Sequence, residues 1–390
     1  MDGELNTQNT RLSKLIDKVM DNFEKVNLLY VSRIAEQIKK VGQLTPSNVN
    51  RIILMTDWGY DINDITRRLA DATEMTVKQI MTVYQNVLDS TFADPRFSRA
   101  LRHRSITPED TARINRYAET MSRQTAGEIA NLSNTTVVSQ GYRDTMNKAI
   151  IAVQSGLTDY QSATREAVRE LGTNGLQVQY PSGYHRRLDT AVRQNIVDGT
   201  NQLAQHAADM VGEALGYDAY EITAHANSAP DHEPIQGHVF LKEEFEKLQS
   251  GQAFTDIDGH SYEPIRRAIG EWNCKHFAMT FSTEYSRRKW TDDQLNKFIE
   301  DNNKGCTIDG KHYTMYGVTQ IMRKIETAAR REKEVAIAAQ QAGDEVLQAQ
   351  AQMKINALRH KYESICQISG LDSYWVSRAK VDGYRPMKLK

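Results

Sequence analysis

The chain has almost no means of cross-linking itself. Its 390 residues include three cysteines, Cys274, Cys306 and Cys366, an odd number, widely spaced and without a Cys-x-x-Cys pair. That excludes a disulfide framework and fits a reducing compartment, with at most one cysteine reading as a ligand. No apolar run approaches the roughly 20 residues of a membrane span. The opening Met-Asp-Gly-Glu-Leu-Asn has neither the basic start nor the apolar core of a secretory signal. A protein made and kept in the cytoplasm, or in something assembled there, is expected. Excess charge is missing too: 49 basic against 50 acidic side chains leave a net charge of -1. This argues against a chain whose whole surface binds nucleic acid, although local basic faces remain open to it. Neither HExxH, GxSxG, a Walker loop nor GxGxxG occurs, so the common catalytic signatures are absent.

What is present is mostly long and helical. A mean hydropathy of -0.60 with 39% hydrophobic residues suits extended helices with much solvated surface. Leu12, Leu15, Ile16, Val19, Phe23, Val26 and Leu29 recur at threes and fours and predict one helix over 9–42. Thr45-Pro46 predicts the start of another, and Ile65, Leu69, Val77, Ile80, Val83 and Val87 a helix over 61–91. Residues 92–105 read as a loop. Thr107-Pro108-Glu109-Asp110 combines a cap, a proline and early acids, the strongest helix start in the chain. Helices at about 141–154 and 159–171, the second capped by Thr158, precede a break at Tyr180-Pro181-Ser182-Gly183. A strong helix then runs from near His185 to Gly216. Toward the end, Thr291-Asp292-Asp293 caps a short helix and Thr307 to Tyr313 predicts a hairpin with an Asp-Gly turn. From Tyr316 to about Ser369 the pattern is one helix of some fifty residues, interrupted at Gly343 if anywhere, which suggests a coiled coil or an arm. The fold class is therefore mainly α, with a small α+β module in the middle, elongated, with a long C-terminal helix. The expected divisions are 1–140 and 141–216 as helical regions, 217–290 as the module, and 291–390 as hairpin and helical arm.

The module concentrates chemistry. Five of the ten histidines fall within 217–281 (His225, His232, His238, His260 and His276), together with three of the eight prolines. Strand-like pieces at 220–224, 239–240 and 277–281 alternate with a helical scrap at 241–248 and turns at Ser250-Gly251 and Asp258-Gly259. Histidine nitrogen and cysteine sulfur are the donors zinc prefers. His225 and His232 lie across a turn, and Cys274 and His276 form a second short pair about forty residues later. Brought together, they make a closed tetrahedral site, structural in kind because four protein ligands leave no open position. The alternative is that the histidines are hydrogen-bonded turn residues and Cys274 a small buried hydrophobe. His238 and His260 read as exposed loop residues. Asp231, His232, Glu233 and Cys274 could supply a thiol and a base, but nothing in the sequence fixes their geometry, and no catalytic residue is assigned.

Two basic clusters remain. Arg96, Arg99, Arg102 and Arg104, with His103, contain no acid and are the candidate contact for DNA or an acidic partner, against the simpler reading of a solvated loop. Arg323, Lys324, Arg330, Arg331 and Lys333 alternate with Glu326, Glu332 and Glu334, which reads as a solvated helix face with local ion pairs.

Several motifs, in order, resemble the phage minor capsid protein 2 family, within the wider Mu-type head-morphogenesis proteins of tailed phages. They are Tyr180-Pro181-Ser182-Gly183 with Arg186-Arg187-Leu188-Asp189, then Glu221 to His225, Pro230-Asp231-His232, Gln236-Gly237, and Gly270 with Asn273-Cys274-Lys275-His276. Tyr313 to Tyr316 with Thr319-Gln320, Arg323 to Glu326 and Arg330 continue the likeness, which covers roughly 140–340. The pattern departs at Ala229, where the family has an arginine before the proline. The resemblance implies a low-copy virion protein, not an enzyme, at the head interior or portal vertex. It would act in head morphogenesis and DNA packaging or delivery, with portal, capsid or scaffold proteins and packaged DNA as partners. It also implies a structural zinc on His225, His232, Cys274 and His276. Two rival functions are a metal-dependent nuclease and a DNA-binding internal virion protein. The long apolar helix faces imply partners outside the chain, oligomeric ones included.

Overall fold

The computed structural model describes residues 2–42, 58–93, 97, 100–102, 104–136, 138–154, 160–270, 274 and 276–388. The expected helix start at Thr45-Pro46 and the cap at Thr158 lie outside these residues. Helices dominate: α1 (Asp2–Gly42), α2 (Trp58–Phe92), α3 (Pro108–Thr135), α4 (Val138–Gln154), α5 (Tyr160–Asn174) and α6 (Leu188–Ala214) precede the module. The start of α3 follows the sequence: the Thr107 hydroxyl accepts from the Asp110 N–H at 3.1 Å and Asp110 accepts from the Thr107 N–H at 3.2 Å. Each thereby satisfies a backbone donor that the first helical turn would otherwise leave without a partner.

The chain divides into two compact units, each assembled from separated stretches. One comprises Met1–Ile16, Lys78–Ala126 and Gln194–Thr319; the other Asp17–Val77, Gly127–Arg193 and Gln320–Lys390.

The first unit holds the α+β module. Strands β3 (Ala219–Ile222), β4 (Val239–Leu241) and β7 (Ala278–Phe281) form an antiparallel sheet in the order β4-β3-β7, with Tyr220 opposite Phe240 and Thr280. Helix α7 (Lys242–Gln249) and the hairpin β5 (Phe254–Thr255) with β6 (Ser261–Tyr262) complete it. Ile222, Ile235, Phe240, Leu248, Phe254 and Ala278 form one buried cluster. Phe240, Phe254 and Tyr262 meet at ring centroids 5.3 to 5.7 Å apart, a separation at which aromatic pairs attract. The C-terminal half of α6 lies on this sheet so closely that a Cβ at Gly212 would stand 2.8 Å from Thr280. There Gln205 turns its amide to the free side of β7, accepting from the Ala278 N–H at 3.2 Å and donating to the Ala278 carbonyl at 2.8 Å. Helix α8 (Asp292–Lys304) starts at Thr291 with a full capping box, as its sequence predicts. The Asp-Gly hairpin also forms, as β8 (Cys306–Ile308) and β9 (Lys311–Tyr313), with positive φ at Asp309 and Gly310.

Among the described residues the second unit is mainly helical, with a short hairpin, β1 (Gln177–Gln179) with β2 (His185–Arg187), at the Tyr180 to Gly183 break. The expected fifty-residue C-terminal helix is two, α9 (Met315–Ala342) and α10 (Glu345–Ser369), followed by a short α11 (Trp375–Arg378). The break falls at Gly343 (φ 72°), and Asp344 caps α10 by accepting from the Leu347 N–H at 2.9 Å. The Tyr362 hydroxyl of α10 donates to Glu326 of α9 at 2.8 Å. The acids on α9 therefore correct the solvated-face reading: Glu326 and Glu334 are 3% and 6% exposed. Glu334 is buried because Arg187 reaches it, its Nη2 at 2.9 Å from Oε1, while the same guanidinium holds Asp189 at 2.7 Å. Burial favours protonating both acids. Arg187 reverses that for Asp189, held below the usual carboxylate range, but Glu334 stays above it.

Candidate metal centre

The sheet register builds the site. Ile222 pairs with Ala278, and one residue further out the Thr223 N–H donates to the Phe277 carbonyl at 2.9 Å. The chain leaving β3 therefore runs beside the chain entering β7, which places the His225 stretch against Cys274 and His276. After β3 the backbone reverses through Asn227 (φ 60°) into a helical turn, where His232 and Glu233 both donate to the Ala229 carbonyl. It returns at Gly237, whose N–H donates to the Ile222 carbonyl at 2.8 Å. At Gly237 the φ of 74° and the proximity of Leu295 leave no room for a side chain. This closed loop carries His232 inward, and its side chain is fully buried.

Three donors converge. The Cys274 sulfur lies 3.4 Å from His232 Nδ1 and 3.8 Å from His276 Nδ1. A tetrahedral ion with bonds of about 2.3 Å to sulfur and about 2.05 Å to nitrogen separates those atoms by about 3.6 Å, between the two observed spacings. The far nitrogens are held as well. His232 Nε2 lies 2.7 Å from the Arg267 carbonyl, an acceptor only, so Nε2 carries the proton and neutral His232 aims a lone pair at the sulfur. His276 Nε2 faces the Ser228 hydroxyl at 3.3 Å and Gln236 Oε1 at 3.5 Å. His276 is almost wholly buried and Cys274 partly so.

Electrostatics prepares the sulfur. Burial pushes the Cys274 thiol up, but contacts with His232 and the Gly270 backbone bring it below its ordinary value. Burial likewise opposes a charge on His232, and the thiol and the Arg267 carbonyl more than offset it. Both shifts run toward the thiolate, which is the form that binds a metal. The donor set, its spacing and its fixed tautomer fit a zinc-class ion held by His232, Cys274 and His276.

His225 is brought to the same place by a different contact. Its ring stacks on that of His276, centroids 4.4 Å apart and planes 25° from parallel, and its Nδ1 lies 2.9 Å from the Ala226 carbonyl. Of the acids flanking His232, Asp231 accepts from Arg267 at 3.3 Å and keeps its other oxygen 3.8 Å from His232 Nε2, while Glu233 accepts from Asn302 at 2.6 Å. Of the basic cluster, Arg96, Arg99 and His103 lie outside the described residues. Arg102 and Arg104 are exposed. Arg104 lays its guanidinium against Gly216, just past the end of α6, where the negative pole of a helix favours a cation.

His238 and His260, expected as exposed loop residues, meet instead on one buried acid, and only His260 of the two is exposed. His238 Nδ1 and His260 Nδ1 each lie 2.9 Å from Oδ2 of Asp256, whose side chain is wholly buried. The visible signal was the Asp256-Ile-Asp-Gly-His260 spacing, which folds an acid and a histidine onto one side of a tight turn.

No solved structure and no curated protein matches this chain. The sequence profile of the phage minor capsid protein 2 family matches residues 7–365, far beyond the 140–340 stretch that carries the motifs. Among the described residues no helix is long and apolar enough to cross a membrane. A match across nearly the whole chain leaves one assignment: the protein belongs to the phage minor capsid protein 2 family, and its role is a structural one in a phage particle.

Proposed function

We propose that the protein is a head- or portal-associated building part of a tailed phage, acting in head morphogenesis and in packaging or delivery of DNA. In this reading the module is pinned by a structural zinc on His232, Cys274 and His276, with His225 the fourth member of the set. The observation that carries it is the pairing of a family match over residues 7–365 with a Cys/His centre whose two convergent imidazoles are buried. A catalytic ion needs a position open to substrate, and the burial of His232 and His276 favours a structural role. The ion would tie the loop that leaves β3 to the chain that enters β7, beside the module's apolar cluster. Portal, capsid and scaffold subunits are the partners this role calls for, with packaged DNA a further one.

Mass spectrometry of purified particles and of immature heads tests the location, and elemental analysis of the isolated protein tests the ion. The chain is expected in one or both preparations, with fewer zinc ions bound to Cys274→Ser than to wild type. Absence from both preparations overturns the assembly role. Divalent-ion-dependent DNA cleavage abolished by His232→Ala favours the nuclease instead. Steeply salt-dependent DNA binding lost when Arg99, Arg102 and Arg104 are neutralised favours the DNA-binding internal protein.

A further inference from the structure

The carboxylate of Asp256 is held in an unusual way. Its Oδ1 accepts from the backbone N–H groups of Asp258 and His260 at 3.0 and 2.8 Å, which fixes the plane of the group. Its Oδ2 faces three side-chain donors at once: His238 Nδ1, His260 Nδ1 and the Tyr262 hydroxyl, each at 2.9 Å. A carboxylate oxygen offers two lone pairs, so three hydrogens compete for two acceptor directions. The competition disappears if the two imidazoles point lone pairs rather than hydrogens at this spot and a cation takes their place. Tyr262 then keeps its hydrogen bond to Oδ2.

The spacing suits that exchange. Ligand atoms about 2.1 Å from a common ion stand about 3.0 Å apart in octahedral and about 3.4 Å apart in tetrahedral geometry, and the two nitrogens lie 2.9 Å from Oδ2. Access is graded: the Asp256 side chain is wholly buried, that of His238 is 19% exposed and that of His260 65% exposed. An ion could enter from the His260 side and keep solvent there in its remaining positions. Two imidazole nitrogens and one carboxylate oxygen select borderline first-row ions over calcium or magnesium, which prefer all-oxygen shells.

We propose that His238, Asp256 and His260 form a second binding site for a first-row divalent cation of the zinc, cobalt and nickel class, open on one side. The site joins the β5–β6 hairpin, whose strands are two residues each, to the residue just before β4. Strands so short hold little on their own, and the ion fastens them. The proposal stands apart from the Cys274 centre and does not depend on it.

Co2+ distinguishes the two sites, because a thiolate ligand gives a strong charge-transfer band that a nitrogen–oxygen site lacks. The EDTA-stripped full-length protein is titrated with Co2+, following uptake and spectrum. Wild type should bind a Co2+ class without thiolate character. His260→Ala, at an exposed side chain, should lose that class and leave any thiolate band intact. Cys274→Ser should lose only the band. Tyr262→Phe, which removes a hydrogen bond but no ligand, should weaken uptake by no more than the roughly 10–100-fold typical of an outer partner. Equal uptake by His260→Ala and wild type, or a wild type whose bound Co2+ is all thiolate-linked, overturns the proposal.

Discussion

Each unit buries a centre of three polar side chains, and these two are constructed on opposite principles: Arg187 with its acids in one, Cys274 with its histidines in the other. In the helical unit Arg187 sits between Asp189 and Glu334, a permanent cation clasped by two acids. In the unit with the sheet, Cys274 sits between His232 and His276, soft groups without a fixed positive charge among them. The first centre largely neutralises itself once folded, and its members come from β2, the start of α6 and α9. The second holds no such charge, and in the reading proposed above an ion would take the place of a proton there. The difference teaches that burial of polar groups says nothing by itself about ligands: the charge sum among the partners does.

The strongest way to break this comparison is to remove the built-in cation. Arg187→Ala leaves Asp189 and Glu334 buried together without their partner and should cost about 3–5 kcal/mol, the usual penalty for breaking a buried pair, read from urea unfolding. Chelation should act on the unit with the three-stranded sheet and spare the Arg187 centre. EDTA is expected to lower the unfolding free energy of wild type by about 3 kcal/mol, as removal of a ligand present at a few hundred times its Kd would. The loss should be smaller in Cys274→Ser, which keeps only the His238–Asp256–His260 site, and an EDTA-insensitive wild type would sink the metal reading.

A subtler test separates the ion from ordinary proton linkage in the same unit. Glu221 on β3 is 4% exposed and accepts from the Lys289 N–H at 2.6 Å. Burial raises its carboxyl from 4.5 to about 7, against the opposing effect of that bond and of nearby Arg288. The folded form therefore holds a proton that the unfolded chain releases. The resulting stabilisation is complete below the unfolded value of 4.5 and lost as pH climbs through about 7. Between pH 5 and 8 wild type should lose roughly 2 kcal/mol from this group, and Glu221→Gln should flatten the profile in chelator as well as in zinc. The smallest effect is expected at Asp344→Ala, which removes the α10 cap and should cost about 1 kcal/mol, measurable as a lowered denaturation midpoint in the helical unit.

Legibility in the sequence followed distance along the chain. Devices written within four residues were readable: the Thr107 cap, the Thr291 capping box, the Asp309-Gly310 turn and the stop at Gly343 all form. Helices declared themselves by period. The hairpin at Gln177 to Arg187 did not, because three-residue strands are too short to show alternation, and only its turn was seen as a break. Burial of Glu326 and Glu334 was invisible because Tyr362 and Arg187, which satisfy them, lie 36 and 147 residues away. At the Cys/His centre, residue types suggested the grouping, and the register of β3 with β7 brings it about. The arrival of His232 beside Cys274 depends on the reversal at Asn227, which no local pattern announces.

The amide of Gln205 on the outer side of β7 has a consequence for life in a crowded particle. A bare sheet margin invites a neighbouring molecule to add its own strand, and such growth has no natural stopping point. With the Ala278 donor and acceptor already engaged, that margin is blunted where β7 begins. Copies gathered at high local concentration can then meet through side-chain surfaces, which recognise specific neighbours, instead of zipping together through backbone.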